Sequence, residues 1–287
     1  MTTIWEIDFY SRPILDDQQK KIWELLVCDT QRQFEFSKFC TGGQANARWL
    51  ETALEEAIQA GRQAQHLTAA EIPAKIRFFR RQMNSIITRA CAALNVGAQP
   101  SKRTFAMYQW LQERHQTVYP GHPGFQPAMT APPQFEATQP QPLPDALVGR
   151  GWSVVTLPAS AFGDIDAWEI AFRDTVPLDL LTLPPDVIVP GILVFSERAV
   201  PLAGWMSGLE LSCLALDTNP VPLLILETGV SDRWVLSNLK DPQLLAEIEA
   251  FERTKQAAHQ IHFLAVQSGP EAQEFAGFWV MQTLNLD

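Results

Sequence analysis

Two halves of this chain follow the same order of sequence patterns. Near the N-terminus, apolar-rich segments at 3–12 and 21–29 flank a polar turn, which predicts a β-hairpin. An alternating strand follows at 33–40, and then the patterns of a helix, a strand and a helix. The second half of the chain repeats this order. The repetition predicts two structural halves of one kind.

The corresponding segments are 21–40 with 223–238, 46–60 with 242–258, 75–80 with 261–266, and 82–95 with 270–284. A hairpin is predicted across 228–232, and Asn46 and Asp241 are predicted to cap the helices that follow them. Three antiparallel strands followed by helix, strand and helix is the ribonuclease H-like order, in which the fourth strand joins the first in parallel through a helical crossover. We therefore expect an α/β fold with mixed sheets, made of two ribonuclease H-like halves with the order β-β-β-α-β-α. The last helix is predicted from the spacing of Phe275, Phe278 and Trp279.

A proline-rich segment separates the two halves. Eight prolines lie between residues 120 and 144. Because proline removes backbone donors and favours extended backbone, the segment is expected to be a linker or an arm on the surface. The sequence thus predicts an N-terminal domain over 1–118, a linker over 119–147 and a C-terminal domain over 148–287.

Composition is typical of a folded, soluble chain. The 287 residues include 46% hydrophobic and 19% charged residues, and no apolar run approaches the ~20 residues that cross a membrane. The first strand is expected to begin at residue 3 or 4, which leaves no room for a signal or transit peptide and predicts a cytoplasmic location. The four cysteines stand singly in apolar patterns and are expected to be reduced, buried thiols.

Charge is divided unevenly along the chain. Residues 1–130 hold 15 Lys and Arg against 12 Asp and Glu, which is +3, whereas residues 131–287 hold 7 against 20, which is −13. Because phosphate backbones need local positive charge, a nucleic-acid surface is expected mainly on the first half. The acidic half either faces a basic protein partner or serves solubility alone.

Catalysis by metal ions is not predicted. A ribonuclease H-like nuclease needs carboxylates that converge on Mg²⁺ from the first strand, the first helix and the fourth strand. The first half offers Asp8 on its first strand, but its fourth strand, 75–80, is basic, and the matching segment 261–266 also lacks an acid. We therefore expect no catalytic residues, no metal ligands, no cofactor and no enzymatic activity, with a metal-dependent nuclease as a second alternative.

The basic fourth strand is the strongest candidate for a binding surface. It interleaves cations with phenylalanines: Lys75, Arg77, Phe78, Phe79, Arg80 and Arg81. Proteins bind single-stranded RNA with cations that follow the RNA backbone and with aromatic rings that stack on the bases. Lys102 and Arg103 extend the cluster, and Arg12 is either a phosphate contact or a partner of Asp8 or Glu6. The alternative interpretation is a strand edge with solvated cations over a buried phenylalanine face.

Several segments of the sequence resemble segments of one protein family. They are Trp5–Pro13, Lys20–Asp29, Arg77–Met83, Pro100–Arg103, Leu226–Gly229 and His262–Gln267. The chain resembles the Tab-two-like (Atab-two-like) family of chloroplast translation activators, which has homologues in cyanobacteria, and the similarity spans nearly the whole chain. The expected lack of a transit peptide is similar to the cyanobacterial form, whose cytoplasm is equivalent to the chloroplast stroma.

The resemblance implies an RNA-binding protein for photosystem I. It implies binding of single-stranded, A/U-rich 5′ untranslated RNA and support of the translation and assembly of photosystem I reaction-centre subunits. The family's Trp-Leu-Leu motif is Trp279-Val280-Met281 here, and helical spacing alone makes Trp279 a core residue. The candidate RNA-binding residues are Arg12, Lys75, Arg77, Phe79, Arg80, Arg81, Lys102, Arg103 and Trp279. The first alternative is a protein-only assembly factor that binds a nascent subunit or another partner through the acidic half.

Overall fold

The chain forms two units, each with its own core. The computed structural model describes residues 3–68, 70–129, 138–180 and 183–286. Unit 1 comprises Met1–Phe135 with Asn285–Asp287, and unit 2 comprises Glu136–Leu284. Both units combine helices with mixed sheets, so the expected α/β class is confirmed.

Unit 1 is built on one five-stranded sheet. Its elements are β1 (Ile4–Leu15), β2 (Lys21–Asp29), β3 (Glu35–Thr41), α1 (Ala47–Gln63), β4 (Lys75–Phe78), α2 (Asn84–Ala93), β5 (Gly97–Pro100) and α3 (Phe105–Thr117). The strand order is β3-β2-β1-β4-β5. The first three strands are antiparallel, and β4 and β5 run parallel to β1. The fourth strand therefore joins the first in parallel after the crossover helix α1, as the sequence predicts for this half.

The alternation of β1 gives the sheet two different faces. Trp5, Ile7 and Phe9 are fully buried in the core that α1 and α2 cover. The residues between them, Glu6 and Asp8, belong to the opposite face, where α3 packs against β1 and β2. Because helices cover both faces, β1 is buried on both sides although it carries charged side chains.

The basic strand β4 lies inside the sheet. It pairs with β1 on one side and with β5 on the other. The interpretation of this segment as a strand edge is therefore wrong, although Phe78 and Phe79 are buried as it required. Strand β5 was not predicted, because Gly97–Pro100 has neither alternation nor β-branched residues.

The start of the proline-rich segment packs on unit 1. Tyr119 is fully buried. The backbone N–H of Leu15 donates to the carbonyl of Gly124 at 2.8 Å, and that of Gln126 donates to Pro13 at 2.8 Å. These bonds fix the described residues up to 129 along the end of β1.

Unit 2 contains two sheets. Its elements are β6 (Gln141–Pro142), β7 (Gly151–Pro158), β8 (Ile170–Thr175), β9 (Ile188–Phe195), α4 (Ala199–Ser207), β10 (Leu211–Asp217), β11 (Leu223–Thr228), β12 (Asp232–Asn238), α5 (Pro242–Ala257), β13 (Ile261–Gln267) and β14 (Phe275–Gln282). The sheet orders are β10-β11-β12-β6 and β7-β9-β13-β14-β8. The predicted hairpin is the β11–β12 pair, and Asp241 caps α5 as predicted, with its Oδ1 accepting from the N–H of Gln243 at 2.8 Å.

The duplicated topology is not confirmed. In unit 2, β13 does not join the hairpin β11–β12 but pairs in parallel with β9 and antiparallel with β14. The predicted helix over 270–284 is wrong, since β14 occupies that segment. Both faces of β14 are buried, so its sequence does not alternate, and Phe275, Phe278 and Trp279 imitate helical spacing. Gly277 accommodates the Trp279 ring, because a Cβ at Gly277 would lie 2.1 Å from it.

Two further expectations concern the cysteines and the membrane. All four cysteines are free and buried, as the sequence predicts. None of the helices in the described part of the chain combines the length and the apolar run that crossing a bilayer requires.

Candidate nucleic-acid interface

Five charged side chains form a continuous series of ion pairs on the α3 face of the unit 1 sheet. Arg80 Nε lies 2.9 Å from Asp8 Oδ1, and Arg12 Nη1 lies 2.7 Å from Asp8 Oδ2. Arg12 Nε lies 2.9 Å from Glu24 Oε2, and Arg114 bonds to Glu24 Oε1. We call this series, Arg80–Asp8–Arg12–Glu24–Arg114, the ion chain. It joins β1, β2 and α3 to the residues that follow β4.

The ion chain is largely buried, and each of its two carboxylates lies between two guanidinium groups. Asp8 and Glu24 are fully buried and Arg12 is 2% exposed. Burial raises the pKa of Asp8, but the guanidinium groups of Arg80 and Arg12 outweigh it and hold the pKa below its usual value. The hydroxyl of Tyr119 donates to Glu24 Oε2 at 2.7 Å. Of the two roles considered for Arg12, the structure shows the pairing with Asp8.

Glu6 connects the same face of β1 to the start of α3. Its Oε2 accepts the backbone N–H of Met107 at 2.9 Å. Burial raises the pKa of Glu6 to about 8, although this N–H and the nearby guanidinium groups of Arg77 and Arg103 act to lower it. Arg77 is 8% exposed and Arg103 is 2% exposed. Both therefore lie mainly inside the unit, next to a buried carboxyl group.

The cations that follow β4 and β5 come together at one edge of the sheet. The two strands are parallel, and their last residues, Phe78 and Pro100, are paired. The N–H of Ser101 donates to the carbonyl of Phe78 at 2.9 Å and holds the two chain segments together beyond the strands. The basic edge, as we call it, comprises Arg80, Arg81, Lys102 and Arg103. In open α/β sheets, ligands bind outside the carboxyl ends of the strands.

The members of the basic edge differ in exposure. Arg81 is exposed and Lys102 is half-buried. The Arg80 guanidinium lies 4.5 Å from the centroid of the Tyr10 ring and 4.6 Å from that of Phe79, in addition to its ion pair with Asp8. Arg80 is thus fixed in place, while Arg81 and Lys102 present positive charge to solvent.

The other predicted residues lie apart from the basic edge. Lys75 is half-buried at the opposite end of β4, and Phe79 is buried beneath Arg80. Trp279 is 2% exposed in β14 and packs in the core of unit 2. This position agrees with the core interpretation of Trp279, although the residue lies in a strand and not in a helix. A role of these residues in RNA binding stays a prediction.

Sequence reasoning missed Glu24, Arg114 and Tyr119 as members of this face. The available signal was the run of charged residues at alternate positions of β1, because an interior strand cannot leave such residues unpaired. The partners come from a neighbouring strand and from residues 114 and 119, about ninety residues further along the chain, so local patterns do not reveal them. Within the described residues, no group of three or more His, Cys, Asp or Glu side chains is placed to hold a metal ion.

Comparison with known proteins assigns the family. A model described as RNA-binding protein Tab2/Atab2 N terminal matches residues 4–114, and one described as RNA-binding protein Tab2/Atab2, C-terminal domain, matches residues 130–282. The chain belongs to the Tab2/Atab2 family. The resemblance found in the sequence is therefore confirmed, and it extends over both units.

Two plant members of the Tab2/Atab2 family are similar over nearly the whole chain. The "Protein TAB2 homolog, chloroplastic" of Arabidopsis thaliana is 39% identical over 284 residues, which are 96% of this chain and 74% of the relative. The protein of the same name from Zea mays is 40% identical over 286 residues, 98% of this chain and 71% of the relative. A chain from the cryo-EM structure of the simian T-cell lymphotropic virus intasome in complex with PP2A regulatory subunit B56 gamma is 12% identical with a TM-score of 0.23, covering 53% of this chain and 63% of that chain. A TM-score this low carries no argument about the fold.

Proposed function

We propose that this chain binds single-stranded RNA at the basic edge of unit 1. The observation that carries the proposal is the convergence of Arg81 and Lys102 at the carboxyl ends of two parallel strands, in a family described as RNA-binding. Arg81 is exposed and Lys102 is half-buried, and cations that reach solvent are suited to phosphate contacts, because they can exchange water and counterions for phosphate oxygens. We propose no catalytic step for this RNA-binding role.

The rest of unit 1 supports the basic edge in two ways. The ion chain fixes Arg80 beside Asp8 of β1, and so anchors the backbone segment that carries the neighbouring Arg81. The excess of positive charge in residues 1–130 also favours a polyanion on this unit, whereas the −13 of residues 131–287 repels one.

The biological target follows from the family resemblance. We propose that the RNA is the A/U-rich 5′ untranslated region of messages for photosystem I reaction-centre subunits, and that binding supports their translation and assembly. The chloroplastic relatives support a stroma-like, photosynthetic setting for this chain. The alternative of a protein-only assembly factor rests on the acidic charge of the second half.

The test is binding of the full chain to labelled RNA. A photosystem I 5′ untranslated RNA and a scrambled RNA are compared at about 50 mM and about 200 mM salt, with and without Mg²⁺. We expect binding that weakens steeply with salt, prefers the untranslated region and leaves the RNA intact. Absence of binding at the lower salt contradicts the proposal and favours the protein-only factor. Loss of RNA that depends on Mg²⁺ favours a nuclease instead.

A further inference from the structure

A second surface of unit 1 has the chemistry of a nucleotide-binding site. Where β3 leads into α1, an open groove of about 360 Å³ is lined by Lys38, Gln44, Asn46, Arg48, Trp49 and Thr52. We propose that this groove, called here the Trp49 groove, binds one nucleotide of single-stranded RNA, with its base stacked on Trp49. The proposal rests on the proposed function, because it adds a contact for the same RNA.

The Trp49 ring is held ready for stacking. It is half-buried, and the core residue Phe9 stacks on it with ring centroids 5.5 Å apart and an interplanar angle of 14°. The Lys38 ammonium lies 5.7 Å from the centroid of the Trp49 ring. A ring already fixed by packing loses little entropy when a base binds. Stacking on an aromatic ring also accepts any base, as binding to a single strand of varied sequence requires.

The polar groups of the groove are mainly hydrogen-bond donors. Asn46 Oδ1 accepts the N–H groups of Arg48 and Trp49 at 3.1 Å, and Gln44 Oε1 accepts the N–H of Thr41 at 3.2 Å. Since both amide oxygens are used, each side chain offers its NH₂ group to a ligand. The phosphate oxygens and base carbonyls of a nucleotide are the matching acceptors.

The guanidinium of Arg48 adds an available positive charge. The residue is exposed, and its side chain has no hydrogen-bond or ion-pair partner among the described residues. Lys38 differs, because its ammonium bonds to both carboxylate oxygens of Glu56 at 2.6–2.7 Å. Arg48 is therefore the cation that can reach a phosphate without breaking an existing ion pair.

The groove and the basic edge lie at the same end of the sheet. Strands β1 and β3 are both antiparallel to β2, so β3 runs in the direction of β1, β4 and β5. The carboxyl end of β3, which leads to the groove, lies three strand spacings from that of β4, roughly 14 Å across the sheet. It also lies about five residues, roughly 17 Å, further along the strand direction, because Phe78 is level with Phe36 and β3 ends at Thr41. A short single strand can therefore contact Arg81 and Lys102 and also place a base on Trp49.

The test measures binding of a labelled oligouridine of about ten nucleotides to full-length variants. Trp49→Leu removes the ring but keeps an apolar side chain against Phe9, and we expect about tenfold weaker binding. Trp49→Phe, the matched control, keeps a ring and is expected within about threefold of the unaltered chain. Arg48→Ala removes an exposed side chain and leaves the core unchanged. It should weaken binding and reduce the salt slope of the affinity by the amount of about one phosphate contact. Equal urea-unfolding midpoints exclude a folding defect.

The outcomes separate this inference from the proposed function. If the unaltered chain does not bind the oligouridine at low salt, the proposed function fails and this inference fails with it. If the unaltered chain binds but Trp49→Leu and Arg48→Ala bind equally well, only the Trp49 groove is overturned. Uridine monophosphate serves as a competitor. If uridine monophosphate at the same concentration as the oligouridine displaces it completely, the groove is a site for free nucleotides, and the proposed RNA contact is contradicted.

Discussion

At the scale of single residues, arginine has two roles in unit 1. Arg12 and Arg103 are buried beside carboxyl groups and stabilise the fold, whereas Arg81 is exposed beyond the end of β4. Removing one partner of a buried ion pair leaves an uncompensated charge, which costs far more than the loss of an exposed pair. Substitution of the ion chain should therefore change stability, and substitution of Arg81 and Lys102, the basic-edge cations that reach solvent, should change binding.

Asp8→Asn tests the role of the ion chain. Asn keeps the shape of the side chain but removes the charge that faces Arg12 and Arg80, so we expect a loss of about 3–5 kcal/mol in the free energy of unfolding, measured in urea. Glu56→Gln is the control, because the exposed pair of Glu56 with Lys38 should contribute about 1 kcal/mol or less. Similar losses in the two variants would show that the ion chain does not stabilise unit 1.

His262 should make the stability of unit 2 depend on pH. Its Nδ1–H donates to the carbonyl of Gln260 at 3.0 Å and its Nε2 accepts the N–H of Leu214 at 2.9 Å, an arrangement that requires the neutral ring. Burial, with the nearby ammonium of Lys255, lowers the pKa of His262 to about 3, and the ring of Phe251 is also in contact. The pKa of His262 is lower in the folded state than in the unfolded state. The stability that the neutral ring gives unit 2 is therefore fully present above the unfolded pKa of about 6.5, and is lost progressively as the pH falls below that value.

The size of this effect can be measured by urea unfolding. Between pH 7 and pH 5 we expect the free energy of unfolding to fall by about 2 kcal/mol through His262 alone. His262→Gln keeps an acceptor but does not titrate, and should remove that part of the pH dependence. His259→Asn, at an exposed position with positive φ, is the control and should retain it. A pH dependence unchanged by His262→Gln would contradict the neutral, buried ring.

At the scale of elements, the attachment of α3 buries the second face of the unit 1 sheet, opposite α1 and α2. The N-cap residue of α3, Thr104, makes no capping hydrogen bond with its side chain. Instead, Glu6 of β1 accepts the N–H of Met107 and so satisfies a donor of the first turn from outside the helix. The helix therefore depends on a long-range contact for its N-terminal cap.

Glu6→Ala should loosen α3 selectively. We expect loss of about 1–3 kcal/mol of local protection, seen as faster hydrogen exchange of amides within Phe105–Thr117. Glu6→Gln keeps an oxygen acceptor and should have a smaller effect. The amides of α1, which Asn46 caps locally, serve as the internal reference and should not change. Uniformly faster exchange in both helices would mean that Glu6 acts on the whole unit and does not cap α3.

Local sequence signals were sufficient for some elements and insufficient for others. Asn46 and Asp241 correctly predicted the starts of α1 and α5, because a cap is a local contact. The alternation of polar and apolar residues in β3 is also a local pattern, and it correctly predicted a strand. Strand β14 was mistaken for a helix, because burial on both faces removes alternation and leaves only apolar residues whose spacing fits either structure.

At the scale of the whole molecule, the two units differ in charge and in topology. Residues 1–130 carry +3 and residues 131–287 carry −13. The sequence could predict this division and the residues of the basic edge. It could not predict that Arg12, Arg77 and Arg103 are buried, because their burial depends on α3, which comes from a later part of the chain, to cover the sheet.

The division of charge predicts where RNA protects the chain. With oligouridine bound, we expect slower hydrogen exchange in peptides of unit 1 around Arg81, Lys102 and Trp49. Peptides of unit 2 should not change, because its excess of acidic residues repels phosphate. Protection confined to unit 2 would place the RNA on the acidic half and contradict the account.

The most direct measurement is the salt dependence of RNA binding for two variants that lose the same charge. Arg81→Ala with Lys102→Ala alters the basic edge, whereas Lys240→Ala with Arg253→Ala removes one exposed lysine and one exposed arginine from unit 2. Binding at the basic edge predicts weaker affinity and a salt slope smaller by about two phosphate contacts for the first variant only. Equal slopes and affinities for the two variants would show that RNA responds to the net charge of the chain and does not bind at the basic edge.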